Sequence, residues 1–189
     1  TITPPLAKAN DPEYQPFRRD EKWLRREWAI PGTPGLRHRV GGLEKENGKG
    51  NLSTNPENHQ IMTELREEKI NRVANDIPLQ EIYGDKNADL LVVSWGGTFG
   101  TVRTAVEKMM EEGKSIAHAH FDYIMPLPRN TEEVLKGHKK IVVCEINRGQ
   151  FAKYLRMNYP EYKCEQFNKV QGLPFTIGEL ENKFNDLLK

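Results

Sequence analysis

From residue 89 to the C-terminus, short apolar runs alternate with segments of helical period. "LLVVSW" (90–95) is an unbroken apolar run of strand length. After it, Val102, Ala105, Val106 and Met109 recur three and four residues apart, which predicts a helix from about Phe99 to Glu112. Gly113 ends that helix, as helix C-termini prefer. The alternation continues through a strand "SIAHAHFD", a short helix near 131–136, a strand "KIVVCEI", a helix "GQFAKYLRMNY" and a strand "KCEQFNK". The last helix begins at Thr176, where the Thr176/Glu179 spacing is a capping box, and it buries Leu180, Phe184, Leu187 and Leu188. Such alternation predicts an α/β fold, a three-layer α/β/α arrangement around a mostly parallel sheet. Ligands of such sheets bind at the carboxyl ends of the strands. The segments to follow are therefore "WGGTFG", "FDYIMPLPRN", "EINRGQ" and "NKVQGLP".

The first third of the chain lacks this order. Proline recurs at 4, 5, 12, 16, 31 and 34, and glycine at 32, 35, 41, 42, 48 and 50. Only "RRDEKWLRREWAI" holds any pattern, and Trp23, Leu24, Trp28 and Ile30 call for something to cover them. A helix follows, with Asn55 as its cap, Pro56 at the first helical position and Glu57 near the positive end. Ile61, Met62, Leu65, Ile70 and Val73 share its broad apolar face. The expected division is an extended Pro/Gly-rich arm or linker over 1–56, a helix and connector over 57–87, and the α/β domain over 88–189. The proline-rich start at Thr1 leads us to expect a fragment of a longer protein.

Composition narrows the function classes. The 189 residues carry 28 basic and 27 acidic side chains, a formal net charge of +1, so no basic surplus points to nucleic acid. No apolar run is long enough to span a membrane. The two cysteines, Cys144 and Cys164, form no CxxC and each falls in a predicted strand. That pattern reads as buried thiols of a cytosolic protein rather than metal or iron–sulfur ligands.

Candidate chemistry is sparse. "GGTFGT", with Gly97, Thr98 and Gly100, follows a strand and opens a helix, so its N–H groups could take an anion. It lacks both the GxGxxG pattern and a P-loop lysine, and the alternative is a tight turn with Thr98 as helix cap. His118, His120 and Asp122 share one strand face. Partly buried, hydrogen-bonded histidines fit that triplet better than a metal site. Pro126 and Pro128 stiffen a loop suited to an interface, and Asn130 reads as the next helix cap. Glu145, Asn147, Arg148 and Gln150 crowd one strand end, where they either cap a helix or bind a ligand or subunit. Arg37, His38 and Arg39 lie among glycines, which suits recognition of a carboxylate or phosphate, or else forms a solvated basic loop. No catalytic nucleophile–base pair appears, and we assign neither catalytic residues nor a metal site.

These motifs together carry a resemblance. "VVSWGGTFGTVRTAVEKMMEEGKSIAHAHFDYIMPLP" and "VVCEINRGQFAKYLR" resemble the C-terminal part of the α subunit of 2-oxoacid:ferredoxin oxidoreductases. The likeness rests on a strand ending in Trp-Gly, on Thr98 and Gly100, on Pro-x-Pro and on Glu-x-Asn-x-Gly-Gln. "WAIPGTPGLRHRVGGLEKENGKGNLSTNPENHQIMTELREEKI" resembles the segment that precedes that domain, most closely in the 2-oxoglutarate branch. The resemblance implies a fold like the transketolase C-terminal domain. It also implies an enzyme complex that oxidatively decarboxylates a 2-oxoacid to its acyl-CoA and reduces ferredoxin. Thiamine diphosphate with Mg, an iron–sulfur cluster and coenzyme A would serve the whole complex, with no cofactor bound by this chain alone. A β subunit, ferredoxin and a second copy of the C-terminal domain are the implied partners, and the location is cytoplasmic. The family's upstream threonine motif has no match, "TITPP" being only superficially similar, so the chain alone is expected to be inactive. Arg37-His38-Arg39 stands where related branches are acidic, which makes these three the expected substrate-binding residues. The competing reading is a stand-alone nucleotide- or anion-binding module using Gly97, Thr98, Gly100, Glu145, Asn147 and Gln150. A transketolase-like enzyme without iron–sulfur chemistry is a third reading, against which the arm motif argues.

Overall fold

The computed structural model describes residues 4–189, so Thr1, Ile2 and Thr3 of "TITPP" lie outside the described residues. The chain forms two compact units, Thr1–Asp76 and Ile77–Lys189.

In the first unit, residues 4–55 contain neither a helix nor a multi-residue strand, only isolated pairings such as Phe17 with Gly48 and Lys45 with Leu52. The stretch "RRDEKWLRREWAI" is a tight reversal and not a helix. Asp20 accepts the Trp23 N–H at 2.6 Å, Leu24 takes a left-handed φ of 52°, and Arg19 pairs with Arg26. An aspartate bonding its own following backbone competes well with helix formation. Helix α1 (Pro56–Arg72) starts where the sequence places it, with Asn55 accepting from the Asn58 N–H at 2.7 Å. Its apolar face is less buried than expected. Met62 is buried, while Ile61, Ile70 and Val73 are exposed. Trp28 and Ile30 are exposed as well. Polar contacts hold α1 instead: Arg72 donates to the Glu21 and Lys22 carbonyls, and Asn58 donates to the Lys45 carbonyl.

The second unit follows the predicted alternation: β1 (Leu90–Trp95), α2 (Phe99–Glu111), β2 (Ile116–Phe121), α3 (Thr131–Leu135), β3 (Lys140–Glu145), α4 (Gln150–Asn158), β4 (Cys164–Asn168) and α5 (Ile177–Leu187). The four strands pair in parallel in the order β2-β1-β3-β4. Side chains alternate across this sheet and build two cores. On one face Leu90, Val92 and Val142 meet Val102, Ala105, Val106 and Met109 of α2 and Leu180 and Phe184 of α5. On the other, Leu91, Val93, Ala119 and Val143 meet Val134 and Leu135 of α3 and Phe151, Ala152 and Leu155 of α4. Each fully buried Leu, Phe or Met contributes about 1.5–3 kcal/mol, which fixes both helix layers to the sheet. The architecture is thus a three-layer α/β/α fold around an all-parallel sheet.

The capping box at Thr176/Glu179 forms in both directions, and Gly113 ends α2 at a φ of 79°. Two expected caps do not form. The Thr98 hydroxyl turns back to donate to the Trp95 carbonyl at 2.8 Å, and Asn130 spends its amide on the Gln80 backbone. Tyr83 pairs antiparallel with His118, and Gln80 donates to the His120 carbonyl, so residues 80–83 cover part of the outer edge of β2. Among the described residues no helix is long and apolar enough to cross a membrane.

Candidate functional site

The strand order reverses between β1 and β3, so the crevice at their carboxyl ends is where an open α/β sheet usually takes a ligand. Here protein groups meet across it. Glu145 is fully buried at the end of β3. One carboxylate oxygen accepts from the Trp95 indole at 3.1 Å and the Phe151 N–H at 2.9 Å, and the other accepts from the Ala152 N–H at 2.9 Å. A carboxylate at a helix N-terminus satisfies free N–H groups and complements the helix dipole. Asn147 adds to this, accepting from the N–H groups of Gly149 and Gln150. Of the two readings left open for this cluster, the geometry shows helix capping by Glu145 and Asn147. Gln150 remains exposed. Gly149 caps α4 at a φ of 76°, where a Cβ would overlap the Gln166 side chain.

The "GGTFGT" turn is the opposite case. Thr98 is buried, but Gly97 and Gly100 are exposed, and a Cβ on either would meet open space. Neither residue has a positive φ. Among the described residues no contact therefore accounts for glycine at these two positions.

Arg37, His38 and Arg39 lie in the first unit on a loop anchored by buried Leu36. Together with Lys49 they line a depression of about 410 Å³, and Arg37 and His38 also line a neighbouring one of about 740 Å³. Among the described residues neither Arg37 nor Arg39 pairs with a carboxylate. The His38 Nδ1 lies 2.8 Å from the Leu36 carbonyl, so it is the donor and Nε2 is an acceptor when the ring is neutral. The following loop is held by residues that sequence pattern did not single out. Buried Lys45 donates to the carbonyls of Gly41 and Leu43. Glu44 binds His59 and Arg66 of α1, and the Arg66 guanidinium, with help from His59, holds its carboxyl down at about 2.

His118 and His120 share a face of β2, as alternation predicts, and both bond to Ser94 of β1. The Arg103 Nε donates to the His118 Nδ1 at 3.1 Å. Because arginine can only donate, His118 carries its proton on Nε2 and gives it to the Ser94 hydroxyl. Ser94 then donates to the His120 Nδ1, which leaves the His120 proton on Nε2. Both histidines are hydrogen-bonded, as expected, with His120 partly buried and His118 fully buried. Burial first, then the charge of Arg103, lowers His118 to about 3. Burial also lowers His120. Ser94 and Arg103 were not legible as site residues, since their partners lie on other elements. Among the described residues no group of three His, Cys, Asp or Glu side chains is placed to hold a metal ion. Cys144 and Cys164 are both buried, and burial pushes both thiols upward, Cys164 to about 11. They supply only two of the four cysteine ligands that an iron–sulfur cluster ordinarily takes.

Comparison with known proteins gives these features a context. The family described as pyruvate:ferredoxin oxidoreductase core domain II matches residues 88–179. The "2-oxoglutarate oxidoreductase subunit KorA" of Mycobacterium tuberculosis is 41% identical over 176 residues, covering 93% of this chain and 26% of the relative. The "2-oxoacid:ferredoxin oxidoreductase 1, subunit alpha" of Aeropyrum pernix is 27% identical, covering 97% of this chain and 29% of its own length. The chain therefore spans under a third of these relatives. Among solved structures, the 2-oxoglutarate:ferredoxin oxidoreductase of Magnetococcus marinus, with 2-oxoglutarate, coenzyme A and succinyl-CoA bound, superposes with a TM-score of 0.85. That match is 27% identical and covers 96% of this chain and 32% of the other. Residues 88–179 therefore carry the pyruvate:ferredoxin oxidoreductase core domain II, and nearly the whole chain is similar to part of the α subunits of 2-oxoacid:ferredoxin oxidoreductases.

Proposed function

We propose that this chain works as part of the α subunit of a 2-oxoglutarate:ferredoxin oxidoreductase, and that its Arg37–Arg39 loop recognises an acidic reactant. The reaction converts 2-oxoglutarate and coenzyme A into succinyl-CoA and carbon dioxide, passes two electrons to oxidised ferredoxin and releases a proton. Thiamine diphosphate with Mg supplies the carbon–carbon cleavage chemistry when bound. In this proposal it and the iron–sulfur cluster belong to the rest of a cytoplasmic complex, which includes a β subunit. This chain alone is then catalytically silent.

One observation carries the reading of the loop. Arg37, Arg39 and Lys49 surround one depression, and neither guanidinium has a carboxylate partner among the described residues. Unpaired guanidinium groups suit the distal carboxylate of 2-oxoglutarate or the phosphates of coenzyme A. Support for the substrate comes from the KorA relative and from the Magnetococcus marinus structure, whose matches extend upstream of core domain II over nearly the whole chain. The side-chain-free surface at Gly97 and Gly100 suits close approach of another backbone. Exposed Gly97, Gly100 and Gln150 would then lie in a subunit contact, with the β subunit or a second copy of this domain, while buried Thr98 and the capping groups Glu145 and Asn147 would hold the turns beneath it.

The test is Arg39→Ala in the full complex. Arg39 is exposed and makes no ion pair among the described residues, so the fold should tolerate the change. Loss of a charge-assisted contact of about 1.5–3 kcal/mol should raise the KM for 2-oxoglutarate or for coenzyme A about tenfold or more. Unchanged KM values for both would show that the loop recognises neither.

A further inference from the structure

A second cavity, of about 580 Å³, lies in the second unit beside the carboxyl end of β2. Tyr83, Phe99, Arg103, His120, Asp122 and Tyr123 contribute side chains to its wall. Arg103 is held there from several directions. Its guanidinium stacks over the Tyr83 ring at 3.8 Å, lies 5.2 Å from the Phe99 ring, and spends Nε on His118. This orientation leaves its two terminal amino groups without an acceptor among the described residues. Such a pre-set, unspent fork matches the two oxygens of a carboxylate or phosphate.

His120 adds a third donor. The chain of bonds from Arg103 through His118 and Ser94 puts the His120 proton on Nε2. The nearest acid to that nitrogen, Asp122, is 4.0 Å away, beyond hydrogen-bonding distance. Asp122 and Glu81 are both exposed and neither forms an ion pair with Arg103. Tyr83, Phe99 and Tyr123 are each two-fifths or more exposed, so their rings are available to a ligand. The volume falls within the usual range for small-molecule sites, roughly 300–1,000 Å³.

We propose that this cavity binds a small ligand through a carboxylate or phosphate group, held by the Arg103 fork and the His120 Nε2–H. A flat or apolar body would lie against Tyr83, Phe99 and Tyr123. The site belongs to a different unit from the Arg37–Arg39 loop and does not depend on it. Its ligand need not be a reactant of the proposed reaction.

Benzoate and phenyl phosphate, which share a ring and differ in the acid group, are the probes, with acetate and inorganic phosphate as bodiless controls. Calorimetric titration of the full chain should give saturable binding to at least one ring-bearing probe, weaker binding to its bodiless control, and about tenfold weaker binding in Arg103→Lys. Which probe binds identifies the acid group. On the wild-type chain, imidazole nitrogen NMR should show the His120 Nε2 signal moving on probe addition while His138 stays still. That readout stands even where Arg103→Lys fails to fold. No saturable binding below about 10 mM, or binding that leaves His120 unmoved, overturns the proposal.

Discussion

Glu145→Ala is expected to destabilise the second unit by about 3–5 kcal/mol, measured by denaturant unfolding with Trp95 fluorescence as a local probe. The size follows from what the carboxylate does. It is fully buried and accepts three hydrogen bonds, from the Trp95 indole and from the first free N–H groups of α4. Alanine would leave those donors buried without acceptors, and each costs about 1–3 kcal/mol. Glu145→Gln should cost less. With its amide nitrogen in place of the oxygen that serves Ala152, it would keep the bonds from Trp95 and Phe151 and orphan one donor. Gln150→Ala, three residues beyond Asn147 but exposed, should change stability by no more than about 0.5 kcal/mol. Equal small effects for all three would show that the carboxylate does not organise this crevice.

The second unit should also weaken as the pH falls from 7 to 5, by about 2 kcal/mol from His118 alone. His118 is buried and neutral, facing Arg103 of α2, Ser94 of β1, and His120 beside it on β2, with the Phe99 and Tyr83 side chains nearby. Its folded pKa, about 3, lies below the ordinary value of 6.5. The unfolded chain therefore binds the proton first. Stability is fully present above about 6.5 and is lost progressively as the pH drops toward 3, by about 1.4 kcal/mol per unit. Protonation would also set an imidazolium against the Arg103 guanidinium. In His118→Gln the amide can still accept from Arg103 and donate to Ser94 without titrating. Unfolding free energies at pH 7 and pH 5 should thus differ by about 2 kcal/mol less in the variant than in the wild type. The same difference in both proteins would contradict the neutral, arginine-oriented His118.

These two residues also show where the sequence was legible. Val102, Ala105, Val106 and Met109 announce α2 because local spacing decides which side of a helix is buried. Asn55 and the Thr176/Glu179 pair announce helix starts because their partners lie three residues away. Thr98 and Asn130 have the same residue chemistry, yet they cap nothing. A carbonyl on the preceding turn takes the Thr98 hydroxyl, and Gln80, 50 residues earlier, takes the Asn130 amide. The Arg103–His118–Ser94–His120 chain was hidden for the same reason: it joins α2, β1 and β2 only after the sheet has formed. In the first unit the apolar residues misled, since Ile61, Ile70 and Trp28 are exposed while Lys45 is buried against carbonyls. Periodicity assumes that burial follows hydrophobicity, and a unit held largely by polar contacts with backbone does not obey it.

In the proposed function this chain serves a 2-oxoglutarate:ferredoxin oxidoreductase, with Arg37 and Arg39 facing an acidic reactant. The most direct measurement is ferredoxin reduction by the complete complex, compared across 2-oxoacids in the presence of coenzyme A. 2-Oxoglutarate is expected to support reduction with a kcat/KM well above that of pyruvate, and Arg37→Ala/Arg39→Ala to narrow the gap or weaken coenzyme A binding. Equal use of pyruvate, together with no effect of the double substitution on either reactant, would contradict it.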